Sequence, residues 1–304
     1  MSNILITGGT GSLGSLLAEQ YTNAGHTVTI FSRDPHKQAV LGQQVKCKFV
    51  LGDICDRNTV ARAMVGQDIV IHAAALKRIE RGVTDPEEYL RVNTIGAQIA
   101  VQEAAQAEVG RFLLISTDKS PDPVSGYGLT KALAESICLS YDKYLAVAAI
   151  RYGNVMDSAG SFWWLWQELL AKGQPIMVRK PYPTRFILTK KNAIALVNEA
   201  LDVMIGGEIF IPRYIKAVRM DEIARALTPE SNWLIEPLSS NEKLAEVLVG
   251  SMEHCRVVST GLCAISDMDY DDDLKPFYCS ETAPRMTGAE AVKLLGGIAY
   301  EYQY

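Results

Sequence analysis

Asn3-Ile4-Leu5-Ile6-Thr7-Gly8-Gly9-Thr10-Gly11-Ser12-Leu13-Gly14 is an apolar run that stops at a cluster of glycines and gives way to an amphipathic stretch over residues 12–24. The first five residues suit a buried strand and the last stretch a helix. Gly8, Gly11 and Gly14 recur at three-residue spacing between them. Glycine permits the tight turn and lets backbone N–H groups approach an anion at the positive end of a helix. In this strand-turn-helix context, the spacing reads as a dinucleotide-binding turn built from Gly8, Thr10, Gly11, Ser12, Leu13 and Gly14.

Outward from that turn, short β-rich runs alternate with longer helical patterns. Strands are expected at 3–7, 27–32, 46–51, 68–72, 111–117 and 145–151, with helices at 12–24, near Lys37, and at 57–65, 86–107 and 127–144. This alternation predicts an α/β fold with a doubly wound parallel sheet of the Rossmann kind. After Arg151 the texture changes to a Trp-rich helix at 161–172 and a segment punctuated by Pro175, Pro181 and Pro183. A helix at 191–203 and a strand at 208–211 return to the sheet, after which the chain is expected to leave it for good. The organisation is therefore a cofactor domain over 1–155, completed by about 189–212, and a smaller discontinuous α/β substrate lobe over 156–188 and 213–304. Trp163, Trp164 and Trp166 are read as core in preference to a stacking surface for a base. The acidic run 267–273 lacks the glycine and terminal glutamate of a calcium loop and reads as a solvated loop.

Lys and Arg number 30 against 35 Asp and Glu, a net charge of −5 with no basic block, which argues against a nucleic-acid partner. The chain enters its first strand too early for a secretion signal, and its apolar runs are too short for a membrane span. The six cysteines form no C-x-x-C pair and have no histidine at ligand spacing, so no metal is expected. Reduced thiols fit a cytoplasmic location.

The second strand ends at Phe31-Ser32-Arg33-Asp34, with Lys37 beyond. A hydroxyl and two cations (Ser32, Arg33, Lys37) suit a 2′-phosphate and favour NADP; Asp34 argues for the 2′-hydroxyl of NAD. Asp53, followed by Ile54, ends the third strand, where its carboxylate either accepts from the adenine amino group or caps the next helix. Ala73, Ala74 and Ala75 end the fourth, offering small side chains against the dinucleotide, and His72 reads as a packed strand-end residue. Tyr127 and Lys131 stand four residues apart in Tyr127-Gly128-Leu129-Thr130-Lys131, on one face of a helix. A nearby cation and a bound nicotinamide favour the phenolate, making Tyr127 a base for a sugar hydroxyl and Lys131 a partner for the nicotinamide ribose.

Together these windows resemble the extended short-chain dehydrogenase/reductases, and within them the inverting UDP-N-acetylglucosamine 4,6-dehydratases of flagellin-glycan and capsule biosynthesis. The likeness extends through Ala73-Ala74-Ala75-Leu76-Lys77, Ser116-Thr117-Asp118-Lys119, Arg151-Tyr152-Gly153-Asn154-Val155, Thr184-Arg185-Phe186, Gly207 to Pro212, Asn241-Glu242-Lys243-Leu244 and Met286 to Glu290. The resemblance implies a tightly retained NADP that takes hydride from C4 and returns it to C6. It assigns Tyr127 to the hydroxyl proton, Lys119 to the C5 hydrogen and Asp118 to loss of the C6 hydroxyl as water, with Thr117 beside them and Val155 near the cofactor. It implies a UDP-sugar substrate contacted by Lys77, Asn154, Arg185 and Glu242, and a homo-oligomer, dimer or hexamer. A helix pair at 86–107 and 127–144 is a candidate dimer face. Two departures stand out: Ala159 and Ser239 occupy positions where the family usually has arginine, so either Arg179 and Lys180 replace them or the substrate differs. The competing readings are a nucleotide-sugar 4-epimerase or reductase on the same scaffold, and an NADP-sensing regulator, against which Tyr127 and Lys131 both count.

Overall fold

The computed structural model describes residues 1–156, 158, 160–266 and 278–296. Ala159 and the acidic run 267–273 lie outside the described residues.

The first half runs through β1 (Asn3–Thr7), α1 (Ser12–Asn23), β2 (Thr27–Ser32), α2 (Pro35–Gly42), β3 (Lys48–Leu51), α3 (Arg57–Met64), β4 (Ile69–His72), α4 (Ile79–Thr84), α5 (Pro86–Tyr89), a π-helical turn (Leu90–Ile95), α6 (Gly96–Gln106), β5 (Arg111–Ile115), α7 (Gly126–Leu139) and β6 (Ala146–Ile150). The second half contains β7 (Asn154–Val155), α8 (Phe162–Ala171), β8 (Ile176–Lys180), β9 (Thr184–Leu188), α9 (Lys190–Val203), β10 (Ile209–Pro212), β11 (Lys216–Arg219), α10 (Met220–Leu227), β12 (Trp233–Pro237), β13 (Val247–Val249), β14 (His254–Val257), β15 (Leu262–Ser266), β16 (Tyr278–Cys279) and α11 (Gly288–Gly296).

The large sheet has the order β14-β15-β10-β6-β5-β4-β1-β2-β3. It is parallel from β3 to β10, and β15 and β14 add antiparallel strands at one edge. Strands covered on both faces become near-continuous apolar runs. In β1, Ile4 and Ile6 join Val28 and Ile30 in one core cluster, whereas Leu5 joins Phe31 and Val70 in the other. β2 pairs on one side of β1 and β4 on the other, so the strand order reverses at the glycine-rich turn that follows Thr7. Such switch points open a crevice at the carboxyl ends of the strands.

The smaller lobe carries the sheet β11-β9-β7 and the pairs β12-β8 and β13-β16. Trp163 and Trp166 are buried in its own core with Ile176, Val178 and Ile223, in agreement with a structural role. The structure corrects the sequence reading in three places. The 213–304 segment does not stay off the large sheet, because β14 and β15 return to it. The single helix expected at 86–107 is α5, a π-helical turn and α6. The helix α4 was not anticipated, because its polar sequence, interrupted by Gly82, has no apolar periodicity.

Candidate active site

The turn after β1 is shaped by close backbone approach. Gly8 has φ +68°, and a Cβ there would lie 2.8 Å from Ala73 O and from the Ala74 backbone. A Cβ on Gly14 would meet Gly9 Cα at 2.7 Å. The 73–75 segment therefore lies directly on the turn, tied by Ala73 N donating to Thr7 O at 3.1 Å. Helix α1 starts at Gly11 with no side chain capping it, so its N-terminal dipole is left to an external anion. Thr10 and Ser12 flank Gly11, and Leu13 turns inward against the core. This cradle fits the pyrophosphate of a dinucleotide.

At the end of β2, Asp34 caps α2 by accepting from Lys37 N at 3.0 Å. The Arg33 guanidinium lies 3.7 Å from Glu88, and Lys37 Nζ lies 3.8 Å from Asp34. Ser32 Oγ accepts from Gln38 Nε2 at 3.0 Å. Asp53 accepts from Cys55 N at 2.9 Å and pairs with Arg91 at 3.3 Å, while the helix after it is capped by Asp56. The Asp53 carboxyl is held below its usual range: burial opposes this, and the Cys55 N–H and Arg91 prevail. Ile54 is buried beneath α6, where Gly96 leaves room for it. His72 is 1% exposed, bonded to Thr7 Oγ1 at 3.0 Å and stacked on Phe112, and burial together with Lys131 pushes its pKa down to about 3.

The catalytic candidates converge where β5 and β6 end and α7 begins. The 116–119 turn is bonded to the β6 exit: Ser116 N donates to Ile150 O at 2.8 Å and Asp118 N to Tyr152 O at 3.1 Å. Helix α7 backs onto this turn at Gly128, whose Cβ position lies 2.4 Å from Lys119 O, so no larger residue fits without displacing the helix. Tyr127 is thereby placed in hydrogen-bonding reach of Thr117, whose own Oγ1 donates to Asp118 at 3.1 Å. Lys119 Nζ donates to Asp118 Oδ1 at 2.9 Å and Asn154 Oδ1 at 3.2 Å, and lies 3.3 Å from Glu246 Oε1.

Burial raises the Tyr127 pKa to about 12; the charge of Lys119 and the Thr117 hydrogen bond pull the other way. This corrects the expectation that Lys131 lowers it. Lys131 Nζ instead donates to Ile115 O at 2.6 Å, and burial brings that ammonium down to about 8 against the pull of Glu135. Asp118 is raised, first by burial and also by Glu246, with Lys119 opposing. Lys119 is raised as well: burial disfavours its charge, and the Asp118 and Glu246 carboxylates outweigh burial.

The residues expected at the substrate are partly engaged with one another. Asn154 holds Lys119. Arg185 is 5% exposed and donates to the Thr184 and Lys243 carbonyls, with Glu242 and Glu246 each 3.7 Å away. Glu242 also lies 3.5 Å from Arg179, which pairs with Glu236. Arg179 thus pairs with two carboxylates, and the Ser239 Oγ accepts from Asn241 N at 3.3 Å. Lys77 Nζ donates to Ser158 Oγ at 3.1 Å, and Val155 lies in β7.

Three positions were missed. Asn93 in the π-helical turn clamps Leu76 through both its N–H and its C=O, at 2.7 and 2.9 Å. Glu135, 3% exposed, pairs with Arg151 and accepts from Ser116 and Ser120 behind the catalytic turn. Glu246 joins the site from the small lobe. A lone carboxylate heading the apolar run Val247-Leu248-Val249 was the available signal for it.

A switch-point turn, with Tyr127 and Lys131 on the helix behind the fifth strand, defines a short-chain dehydrogenase/reductase of the extended type. Residues 4–263 match the family described as polysaccharide biosynthesis protein, and the chain belongs to that family. It is 32% identical over 82% of its length to the UDP-N-acetylglucosamine 4,6-dehydratase (inverting) of Campylobacter jejuni, covering 78% of that protein. It is 35% identical to an uncharacterised membrane protein of Methanocaldococcus jannaschii (75% of this chain, 71% of that one). It is 32% identical to the UDP-glucose 4-epimerase of Rickettsia conorii (74% and 69%). Among solved structures, Pen from Bacillus thuringiensis superposes with a TM-score of 0.88 at 26% identity, over 97% of this chain and 98% of that one. Among the described residues no helix is long and apolar enough to cross a membrane.

Proposed function

We propose that this chain is a nucleotide-sugar 4,6-dehydratase acting on UDP-N-acetylglucosamine with a retained NADP. The observation that carries the reading is the buried Asp118–Lys119 pair, 2.9 Å apart beside Tyr127. Hydride transfer at C4 needs a base for the hydroxyl proton; an additional acid and base at the same centre serve elimination. The nicotinamide, when bound, supplies the hydride acceptor and donor. Tyr127 takes the C4 hydroxyl proton, a step that the positive nicotinamide favours by stabilising phenolate. Lys119 rests as an ammonium against Asp118, and Asp118, raised by burial, accepts its proton. The freed amine then takes the C5 hydrogen, and the Asp118 acid protonates the departing C6 hydroxyl. Identity to the Campylobacter dehydratase supports the same reading.

NADP is favoured over NAD because the Asp34 carboxylate is spent on capping α2, while Arg33 stands half-exposed at the end of β2. We place the enzyme in the cytoplasm, in line with six cysteines of which none is in a disulfide. We also propose a homo-oligomer that pairs through Leu90, Ile95, Leu129 and Leu133, apolar side chains exposed on the adjoining π-helical turn and α7. Pro86 to Ala107 and residues 127–144 were the segments expected to supply this face.

The test is incubation of purified protein with UDP-N-acetylglucosamine in deuterated water without added NADP, read by mass spectrometry and NMR. Loss of one water with deuterium at C5 is expected. A 4-epimer of unchanged mass establishes instead the epimerase reading that the Rickettsia relative supports. Lys119→Ala is expected to abolish water loss and leave the cofactor bound; full activity in that variant removes the mechanism.

A further inference from the structure

Glu246 places a second buried carboxylate on the catalytic lysine. It stands just before β13 on the small lobe, is 1% exposed, and lies 3.3 Å from Lys119 Nζ, 3.7 Å from Arg185 Nε and 3.3 Å from Lys243 Nζ. Its backbone is clamped on both sides by Ser280: Glu246 N donates to Ser280 Oγ at 2.9 Å, and Ser280 N donates to Glu246 O at 2.8 Å. A buried carboxylate is costly unless cations surround it. Burial works against its charge, and Lys119 first, then Arg185 and Lys243, hold Glu246 below the usual carboxylate range. Arg185 and Lys243 belong to the lobe itself, whereas the contact with Lys119 crosses to the large domain.

An ammonium has three N–H donors. Those of Lys119 face Asp118, Asn154 and Glu246. When its proton passes to Asp118, the amine keeps two N–H groups. Asn154 and Glu246 are the acceptors left for them, which limits how far the amine turns as its lone pair swings from Asp118 to the C5 hydrogen. We propose that Glu246 is a positioning residue for elimination: it holds the Lys119 amine in place and, by its charge, favours the protonated forms of both Asp118 and Lys119. This inference rests on the dehydratase reading above.

The groups facing this cluster fix the direction of the effect. Lys119, Arg185 and Lys243 are the cations around Glu246; Asp118 is the neighbouring acid; Glu242 reaches it through Arg185; Tyr127 feels both Lys119 and Asp118. Glu246 raises the proton affinity of both Asp118 and Lys119. Glu246→Gln removes that charge, so both affinities fall. Elimination requires neutral Lys119, so the rising limb of its pH profile moves to lower pH. It also requires protonated Asp118, so the falling limb moves the same way, each by roughly 1 to 3 units.

The experiment is a 13C NMR titration of carboxyl-labelled protein, wild type against Glu246→Gln, with Asp118 assigned by its loss in Asp118→Asn, alongside the pH profile of water loss from UDP-N-acetylglucosamine. The Asp118 titration is expected to fall in pH, and both limbs to follow. Reduced-nicotinamide absorbance on mixing with substrate, which reports the Tyr127 half-step, is expected to persist. An unmoved Asp118 titration overturns the proposal whatever the rate. The titration needs no turnover, so wild type that releases no water defeats the dehydratase reading and leaves this test standing. Should Glu246→Gln not fold, Glu246→Asp serves: it keeps the charge one methylene further back, and is expected to retain the limbs with a kcat lowered at least tenfold. Limbs that shift in Glu246→Asp as well overturn the proposal.

Discussion

At the scale of single residues, burial sets the resting protonation of the groups proposed for the chemistry. Tyr127, pushed up to about 12, is a phenol at neutral pH. Tyr127→Phe is expected to lower turnover roughly 10²- to 10⁴-fold and to suppress the reduced-nicotinamide signal as well as water loss, because it acts before elimination. Arg33→Ala should weaken NADP at least tenfold and leave NAD nearly unchanged, checked by titration calorimetry on protein stripped of cofactor. His72 supplies a stability prediction. Its folded pKa of about 3 lies below the ordinary value, so between these the unfolded chain binds a proton that the folded chain refuses. Stability therefore falls as pH drops from about 6.5 toward 3. Melting scans at about pH 7 and pH 5 should show a larger loss for wild type than for His72→Gln. Tyr127, Asp118 and Lys119 were legible in the sequence because each sits in a short contiguous window. Glu246 and Glu135 were not, because burial and ion pairing with residues far along the chain give them their roles.

At the scale of elements, two local devices set the site geometry. Helix α7 reaches the catalytic turn only because Gly128 lacks a Cβ. Gly128→Ala must displace that helix from Lys119 O, carrying Tyr127 from Thr117; a shift of about 1 Å costs on the order of 10²-fold in kcat. A near-unchanged melting temperature with that loss of kcat would separate misplacement from unfolding. The π-helical turn was invisible to periodicity, since its sequence Leu90-Arg91-Val92-Asn93-Thr94-Ile95 continues a helical pattern on either side. The irregularity lets Asn93 clamp the backbone of Leu76 beside Lys77, in keeping with the frequent occurrence of such turns at functional sites. Asn93→Ala takes the partners from two part-buried backbone groups and should cost about 1 kcal/mol in denaturant titrations.

At the scale of the whole molecule, the alternation of strands and helices over the first 150 residues revealed the doubly wound sheet, including the return of β10. The β14–β15 hairpin was hidden because an antiparallel addition to a sheet edge needs no crossover helix to announce it. If copies pair through Leu129 and Leu133, Leu129→Lys with Leu133→Glu should shift the sedimentation coefficient to that of a monomer; an unchanged value excludes that face. The sheet's order also governs how the chain is made. A ribosome that has synthesised β6 has produced a parallel sheet whose next neighbour, β10, lies beyond an entire lobe segment. Until residue 209 emerges, the apolar edge at Val147 and Ala149 can be claimed by any other nascent strand. The same threading that places Asn154 beside Lys119 makes a half-finished polypeptide a natural client for chaperones.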